Sequence, residues 1–436
     1  MSTRTLHAGA IYTVANLASA GVPFLLLPLL TRVLGPSEYG HVVSFTLLVT
    51  LCLTVAGLNA HAALGVVWFQ RPPEEVPAFT GTALAIVGAS TLLVMPVVAA
   101  SIWLLPQLGG GISPAWGAVA ALTAGCSVIL QCRLILWQSK QRPLPSACLQ
   151  FSASVLNVGL SLVAVLAFGW GGDGRIAGIA AAAVVSALVA LGLFFGAGEV
   201  RWAPTRGQLR TLIAFGLPLV LHTLAGVLLG SADRLAVSIQ LDPHALGVYG
   251  AGAQLGMVMA ILADAFVKAY SPWIYGKLKS GHADDRHCAV GAIYAAMPTF
   301  FVAAALIGVA LYWASGALLG PQYRAAAAVL PWFMLGGAFS GVYLCTSGLY
   351  FFSGRTALLA SVTLTSALVG ASLTWWLVSV FGVDGAAVGY AVTQGILAIA
   401  TTVVAMRSYD LPWADPAKSL AIWSRYAIGS RQRQPA

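Results

Sequence analysis

Leu34-Gly35-Pro36-Ser37-Glu38-Tyr39-Gly40 and Leu241-Asp242-Pro243-His244-Ala245-Leu246-Gly247 carry one pattern, L-x-P-x-x-x-G, at an offset of 207 residues. Asp173-Gly174-Arg175-Ile176-Ala177-Gly178 and Asp384-Gly385-Ala386-Ala387-Val388-Gly389 carry a second, D-G-x-x-x-G, at an offset of 211. One such match is unsurprising by chance. Two at nearly the same offset argue for an internal repeat.

The sequence around these motifs is apolar. Of 436 residues, 59% are hydrophobic and 8% charged, whereas a soluble domain carries roughly a quarter charged residues to cover its surface. Long stretches must therefore face lipid. Runs of spanning length fall at about 9–31, 41–67, 79–104, 115–138, 146–169 and 175–197, then 211–240, 246–268, 289–313, 324–351, 356–380 and 384–406. Breaker clusters such as Gly35-Pro36-Ser37, Gly171-Gly172-Asp173-Gly174 and Gly320-Pro321 separate them. Lipid leaves backbone groups no water to bond, so each run is expected to be a helix. Ala18-Ser19-Ala20 imitates a signal cleavage site, but the apolar run continues to Leu30 and reads as an uncleaved first span.

The expected fold is an all-α membrane protein of about twelve transmembrane helices. The first L-x-P-x-x-x-G follows span one and the second follows span seven, while the D-G-x-x-x-G motifs precede spans six and twelve. Two six-helix bundles result, 1–198 and 211–406, joined by a linker over 199–210 and followed by a basic tail over 407–436. Six is even, so both bundles insert with the same orientation. They are expected to be related by an axis along the membrane normal, a transporter plan that places the substrate path between the halves.

Most of the 22 Lys and Arg, among them Arg71, Lys140, Arg206, Lys277, Arg355 and Arg407, lie on one side if the N-terminus is cytoplasmic, and Arg32, Arg175 and Arg324 lie on the other. This places both termini inside. The net charge of +9 is then a matter of topology, and nucleic acid loses its support as a partner. Cys52, Cys126, Cys132, Cys148, Cys288 and Cys345 show no C-x-x-C spacing, so neither a disulfide framework nor a zinc site is indicated. No phosphate-binding G-x-x-x-x-G-K-[ST] is present, and no cofactor is expected. The outer loops are too short to carry a catalytic site, which counts against an enzyme.

Charges inside spans are expensive and normally face protein or a water-filled cavity. Asp233 and Arg234 sit in span seven, with His222, Gly226 and Gly230 along nearly the same side. They read either as a polar stripe lining a central path or as an ion pair locking span seven to its neighbours. Asp264 and Lys268 are four residues apart in span eight, the acid first. Asp264 suits ion coupling; Lys268 is a ligand or an interfacial anchor. Arg133, with Trp137 one turn on, could stack and meet a phosphate, or anchor the inner end of span four. Asn16, Asn59, His61, Asn157 and Gln394 read as interhelical glue. His282, Asp284, Asp285 and His287 read as a solvated loop sooner than a metal site. Lys418 to Tyr426 reads as an amphipathic segment on the inner leaflet or as an unstructured tail.

Leu26 to Gly40, with Phe215-Gly216-Leu217-Pro218, Ser231-Ala232-Asp233-Arg234 and Ala269-Tyr270-Ser271-Pro272-Trp273, resembles the polysaccharide (O-antigen type) flippases. These belong to the multidrug/oligosaccharidyl-lipid/polysaccharide exporter superfamily, and the resemblance covers about residues 8 to 406. It implies a V-shaped pair of bundles around a cationic cavity in the bacterial inner membrane. It also implies movement of an undecaprenyl-diphosphate-linked oligosaccharide to the outer leaflet, driven by an H+ or Na+ gradient, among membrane lipids and other polysaccharide-assembly proteins. Arg234, Arg133, Lys268, Arg324 and His222 are then the candidate cavity residues, and Asp233 and Asp264 the candidates for ion coupling. A multidrug exporter of the same superfamily and a membrane glycosyltransferase are the alternatives.

Overall fold

A computed structural model describes Gly21 and residues 24–431. Most of span one, with Asn16 and Ala18-Ser19-Ala20, lies outside the described residues. Every regular element described is helical: α1 (Phe24–Val33), α2 (Pro36–Val55), α3 (Ala60–Gln70), α4 (Val76–Leu104), α5 (Pro114–Ser139), α6 (Pro143–Leu162), α7 (Gly171–Gly196), α8 (Arg206–Gln240), α9 (Pro243–Ser280), α10 (Ala283–Leu318), α11 (Leu330–Phe352), α12 (Thr356–Ser408) and α13 (Pro416–Arg431).

Ten helical segments among the described residues are long and apolar enough to cross a membrane. The last, α12, has 53 residues and would extend about 80 Å if straight, far beyond the ~30 Å of a hydrocarbon core. It turns at Gly382, whose φ of +58° and ψ of −132° suit only a residue without Cβ. Spans eleven and twelve are therefore separate passes, as the apolar runs indicate. Gly171, with φ of +56°, stands at the equivalent place in the first repeat.

The D-G-x-x-x-G glycines do the same work in both repeats. A Cβ on Gly178 would stand 2.5 Å from Ser161 Cα, and one on Gly174 would stand 3.0 Å from the Ala164 carbonyl. A Cβ on Gly389 would stand 2.6 Å from Thr374 Oγ1, and one on Gly385 would stand 2.1 Å from the Leu377 oxygen. Each pair lets the last helix of its repeat lie against the one before it, the usual use of small residues between membrane helices.

The chain forms two compact units. The first takes the residues up to Val227 with Arg234–Ala251 and Ala317–Arg324; the second takes Leu228–Asp233, Gly252–Gly316 and the residues from Ala325 onward. The core of the first includes Leu64, Phe79, Val87, Ala124, Val128, Leu136 and Phe194. That of the second includes Met259, Ile274, Ile293, Phe300, Met334, Cys345 and Tyr350. Hydroxyls inside these helices are satisfied locally: Thr80 donates to Val76 O and Thr401 to Leu397 O, one turn back.

Three stretches differ from the sequence expectation. His282 to His287 form no open loop, because only Gly281 and His282 separate α9 from α10 and the acids Asp284 and Asp285 open a helix, where its dipole favours them. The tail is helical and docked within the second unit. Ser419 Oγ bonds His287 Nδ1 at 3.0 Å, and Tyr426 lies under Lys277. Span two, expected to be continuous, breaks between α2 and α3, where Gly57, Leu58 and Asn59 have φ of +73°, +46° and +54°.

Candidate functional site

The two L-x-P-x-x-x-G motifs meet each other inside the first unit, and the contact is reciprocal. A Cβ on Gly40 would stand 1.9 Å from the Pro243 carbonyl oxygen; one on Gly247 would stand 1.8 Å from the Pro36 oxygen. The starts of α2 and α9 thus cross backbone to backbone, at a distance that only glycine permits. Each helix entry is fixed by its own acid. Glu38 accepts from Gly35 N at 3.0 Å and Asp242 accepts from Ala245 N at 2.7 Å. Around the crossing, Ser44 Oγ donates to Gly110 O at 2.8 Å, Gly320 N donates to Thr31 Oγ1 at 3.0 Å, and Tyr323 OH donates to Leu34 O at 3.1 Å. The Tyr39 and Tyr323 rings meet edge to face.

Charges gather next to this crossing. Arg175 is buried on the first turns of α7, where it donates to Asn157 Oδ1 at 2.6 Å and to Ser161 Oγ. Arg175 and Arg234 both lie within electrostatic reach of the Tyr39 ring oxygen. Asp233, the neighbour of Arg234, is 2% exposed. Further along α8, His222 is exposed, and a Cβ on Gly226 or Gly230 would meet no atom within 4 Å. That face of α8 is open. Arg324 is exposed at the end of the segment that carries Tyr323.

Arg133 lies at the other end of the same unit, 3% exposed. Its guanidinium stacks on Trp137 at 4.2 Å, the partner one turn on, and on Phe194 at 4.8 Å. Glu199 of the linker bridges it to Lys140. Burial raises the Glu199 pKa, but the hydrogen bonds from Lys140 and Arg133 outweigh that and hold the carboxyl below its ordinary value. In the second unit Lys268 Nζ pairs with Asp264 at 2.6 Å, and both are about half exposed. Because α9 continues to Ser280, Lys268 sits about three turns inside its helix, deeper than the apolar run indicates.

The arrangement is that of a multi-pass membrane protein with paired repeats and sparse buried charge. The profile of the family described as polysaccharide biosynthesis protein matches residues 6–275. The chain belongs to that family. It is 28% identical over 276 residues to the Lsg locus protein 1 of Haemophilus influenzae, and 22% identical over 280 residues to a membrane protein of the same organism. Each alignment covers 62% of this chain and 65% of the relative, so the chain spans about two thirds of the length of the curated relatives it matches. Among solved structures, the fold is similar to the lipid II flippase MurJ in an inward closed conformation, with a TM-score of 0.66, 11% identity and coverage of 99% and 94%. It is also similar to an inward-facing multidrug resistance MATE transporter, with a TM-score of 0.63, 16% identity and coverage of 100% and 97%. At these identities the likeness is one of fold alone.

Sequence reasoning overlooked Glu199 and the burial of Arg175. The distribution of Lys and Arg along the sequence places Arg175 in an outer loop. The available signal was the D-G-x-x-x-G motif around it, which marks a tight helix contact. No comparable local signal ties Glu199 to Arg133, which lies 66 residues away.

Proposed function

We propose that the protein is a flippase for an undecaprenyl-diphosphate-linked oligosaccharide, moving it from the inner to the outer leaflet of a bacterial inner membrane with both chain termini in the cytoplasm. The reciprocal crossing of the two L-x-P-x-x-x-G motifs carries this reading. It joins equivalent ends of two repeats at one side of the membrane by a contact that can part, as alternating access requires. Family membership supports a glycan as cargo.

In this mechanism the polyprenyl tail stays in lipid while the diphosphate and sugars cross through the protein. Arg234, with His222 and the open glycine face of α8, meets the diphosphate in the path, and guanidinium groups suit such bidentate contacts. Lys268 in the second unit and Arg324 in the first are the further candidate cations for the cargo. Arg133 receives the diphosphate at the inner mouth, exchanging Glu199 for phosphate. Asp233 and Asp264 carry the coupling to an H+ or Na+ gradient. No covalent chemistry is required, and the purified protein is expected to transfer no sugar.

A deletion strain is expected to accumulate the lipid-linked oligosaccharide on the cytoplasmic face and to lose surface polysaccharide. Arg234→Ala at normal protein level should reproduce that loss; unchanged polysaccharide would remove Arg234 from the path. In vesicles, Asp233→Asn and Asp264→Asn should uncouple translocation from the gradient, and full gradient-driven transport by both would end the carboxylate coupling. Ion flux stimulated by small organic cations, with no accumulated glycolipid in the deletion strain, would favour the multidrug exporter instead.

A further inference from the structure

The helix that follows the last span is held in one place. A Cβ on Gly291 of α10 would stand 2.1 Å from the Ser419 oxygen and 2.9 Å from Trp423 Cβ, so α13 meets α10 backbone to backbone. Ser419 Oγ bonds His287 Nδ1 at 3.0 Å. Further on, the Tyr426 ring lies 6.1 Å from that of Trp273 and 3.9 Å from Lys277 Nζ. The first half of α13 thus rests on α10 and the second half on α9. Both contacts fall about two turns inside the helix ends at Ser280 and Ala283, close to where the apolar run of α10 begins. With 16 residues, α13 is about 24 Å long, too short to cross the ~30 Å of a hydrocarbon core.

The side of α13 turned away from these contacts carries apolar residues and cations together. Ala417, Lys418, Leu420, Ala421 and Arg425 are exposed, Leu420 by 38%. Lys418 and Arg425 are seven residues apart, two turns, and so share one side about 10 Å from each other. Neither makes an ion pair among the described residues, and α13 contains no Asp or Glu. Other helix ends bring more positive charge to this end of the second unit. Lys279 and Arg286 flank the turn between α9 and α10, and Arg355 Nη1 donates to Ser408 O at 2.7 Å, next to Arg407. All four are exposed, as are the acids Asp284, Asp410 and Asp415, which lie outside α13.

We propose that α13 is an interfacial helix that binds anionic phospholipid, with Lys418 and Arg425 on the headgroup phosphates and Leu420 and Ala421 against the acyl chains. Cations beside outward apolar residues, on a helix fixed at the margin of the apolar runs, fit the boundary between headgroups and chains. Charge complementarity selects the lipid: a zwitterionic headgroup offers no net charge to a helix without acids, whereas an anionic one does. The leaflet is the inner one on the reading that both chain termini are cytoplasmic. The lipid site itself depends neither on that orientation nor on the cargo.

The test uses the purified full-length protein in detergent, which has no sidedness, titrated with phosphatidylglycerol or phosphatidylcholine. Phosphatidylglycerol is expected to raise the melting temperature and phosphatidylcholine to leave it unchanged, since a ligand of the folded state stabilises it. Lys418→Ala and Arg425→Ala should each raise the amount needed for half the effect about fivefold, while Lys418→Arg with Arg425→Lys should keep the response. In nanodiscs, a bimane on Ala421→Cys, with the exposed Cys148 replaced by serine, should be quenched by phosphatidylglycerol brominated in its chains. One on His282→Cys, beyond the level of α13, should stay bright. Equal stabilisation by the two lipids, an undiminished response in the double alanine variant, or a bright probe at Ala421→Cys, as a protein partner's site would give, overturns the proposal.

Discussion

Replacing Gly40 by alanine would place a methyl carbon 1.9 Å from the Pro243 carbonyl oxygen and 2.7 Å from the carbonyl carbon. An ordinary carbon-to-oxygen contact is about 3.3 Å, so the starts of α2 and α9 must separate by about 1.4 Å. Only backbone lies opposite, and no side chain can swing aside. Overpacking of this kind costs about 1–3 kcal/mol, which lowers the population of the crossed state roughly 5- to 150-fold. A cysteine at Ser44, which is buried beneath the Gly110 carbonyl, reports the change once the exposed native Cys148 has been replaced by serine. A membrane-impermeant maleimide should label it at least about fivefold faster in Gly40→Ala than in the parent. Gly226→Ala, whose Cβ would meet nothing within 4 Å, serves as the matched control and should label at the parent rate. Equal labelling in Gly40→Ala and Gly226→Ala, with equal melting temperatures, would refute the crossing as a steric closure.

Gly247→Ala should repeat the Gly40→Ala result in the same assay, because the contact is reciprocal. Gly178→Ala and Gly389→Ala should each lower stability by about 1–3 kcal/mol, read as a drop in melting temperature in detergent. Glu199→Gln should destabilise at neutral pH by leaving Arg133 buried without its counter-charge. The folded-state pKa of Glu199 lies below its ordinary value, so its stabilisation is complete above the normal carboxylate range and vanishes as pH falls through the depressed value. The melting-temperature gap between parent and Glu199→Gln should therefore close below about pH 4. Trp423 packs against the core of the second unit, so Trp423→Ala should loosen the docked tail, giving faster protease cleavage near 410–415 with the transmembrane helices intact.

The spans were legible because the scarcity of charge admits lipid-facing helices alone, and their ends lie at Gly and Pro clusters that no helix interior tolerates well. The repeat was legible because close helix contacts demand glycine at fixed places, and that demand survives where side-chain identity does not. The break in span two was not legible. Val55 to Ala60 is uniformly apolar but for Asn59, and the left-handed turn is imposed by Val87, Val128 and Gly216, all distant in sequence. Arg133 on Trp137 could be read from the i, i+4 spacing, whereas Glu199 could not. The docked tail was hidden for the same reason: Ser419 and His287 are 132 residues apart.

At the crossing of α2 and α9, Pro36 O and Pro243 O already accept from the amides four residues on, by ordinary helical bonding. What passes between the helices is only the weak attraction of Cα–H for oxygen and dispersion. Parting them strands no backbone donor or acceptor. The seam therefore behaves like a dry joint without glue: rigid in where it closes, since only one register admits both glycines, yet with little holding it shut. The resistance to opening resides in the ring of hydrogen bonds around it, from Tyr323 to Leu34, Gly320 to Thr31 and Ser44 to Gly110. Residues in that ring set how often the joint opens, while the glycines set where it closes.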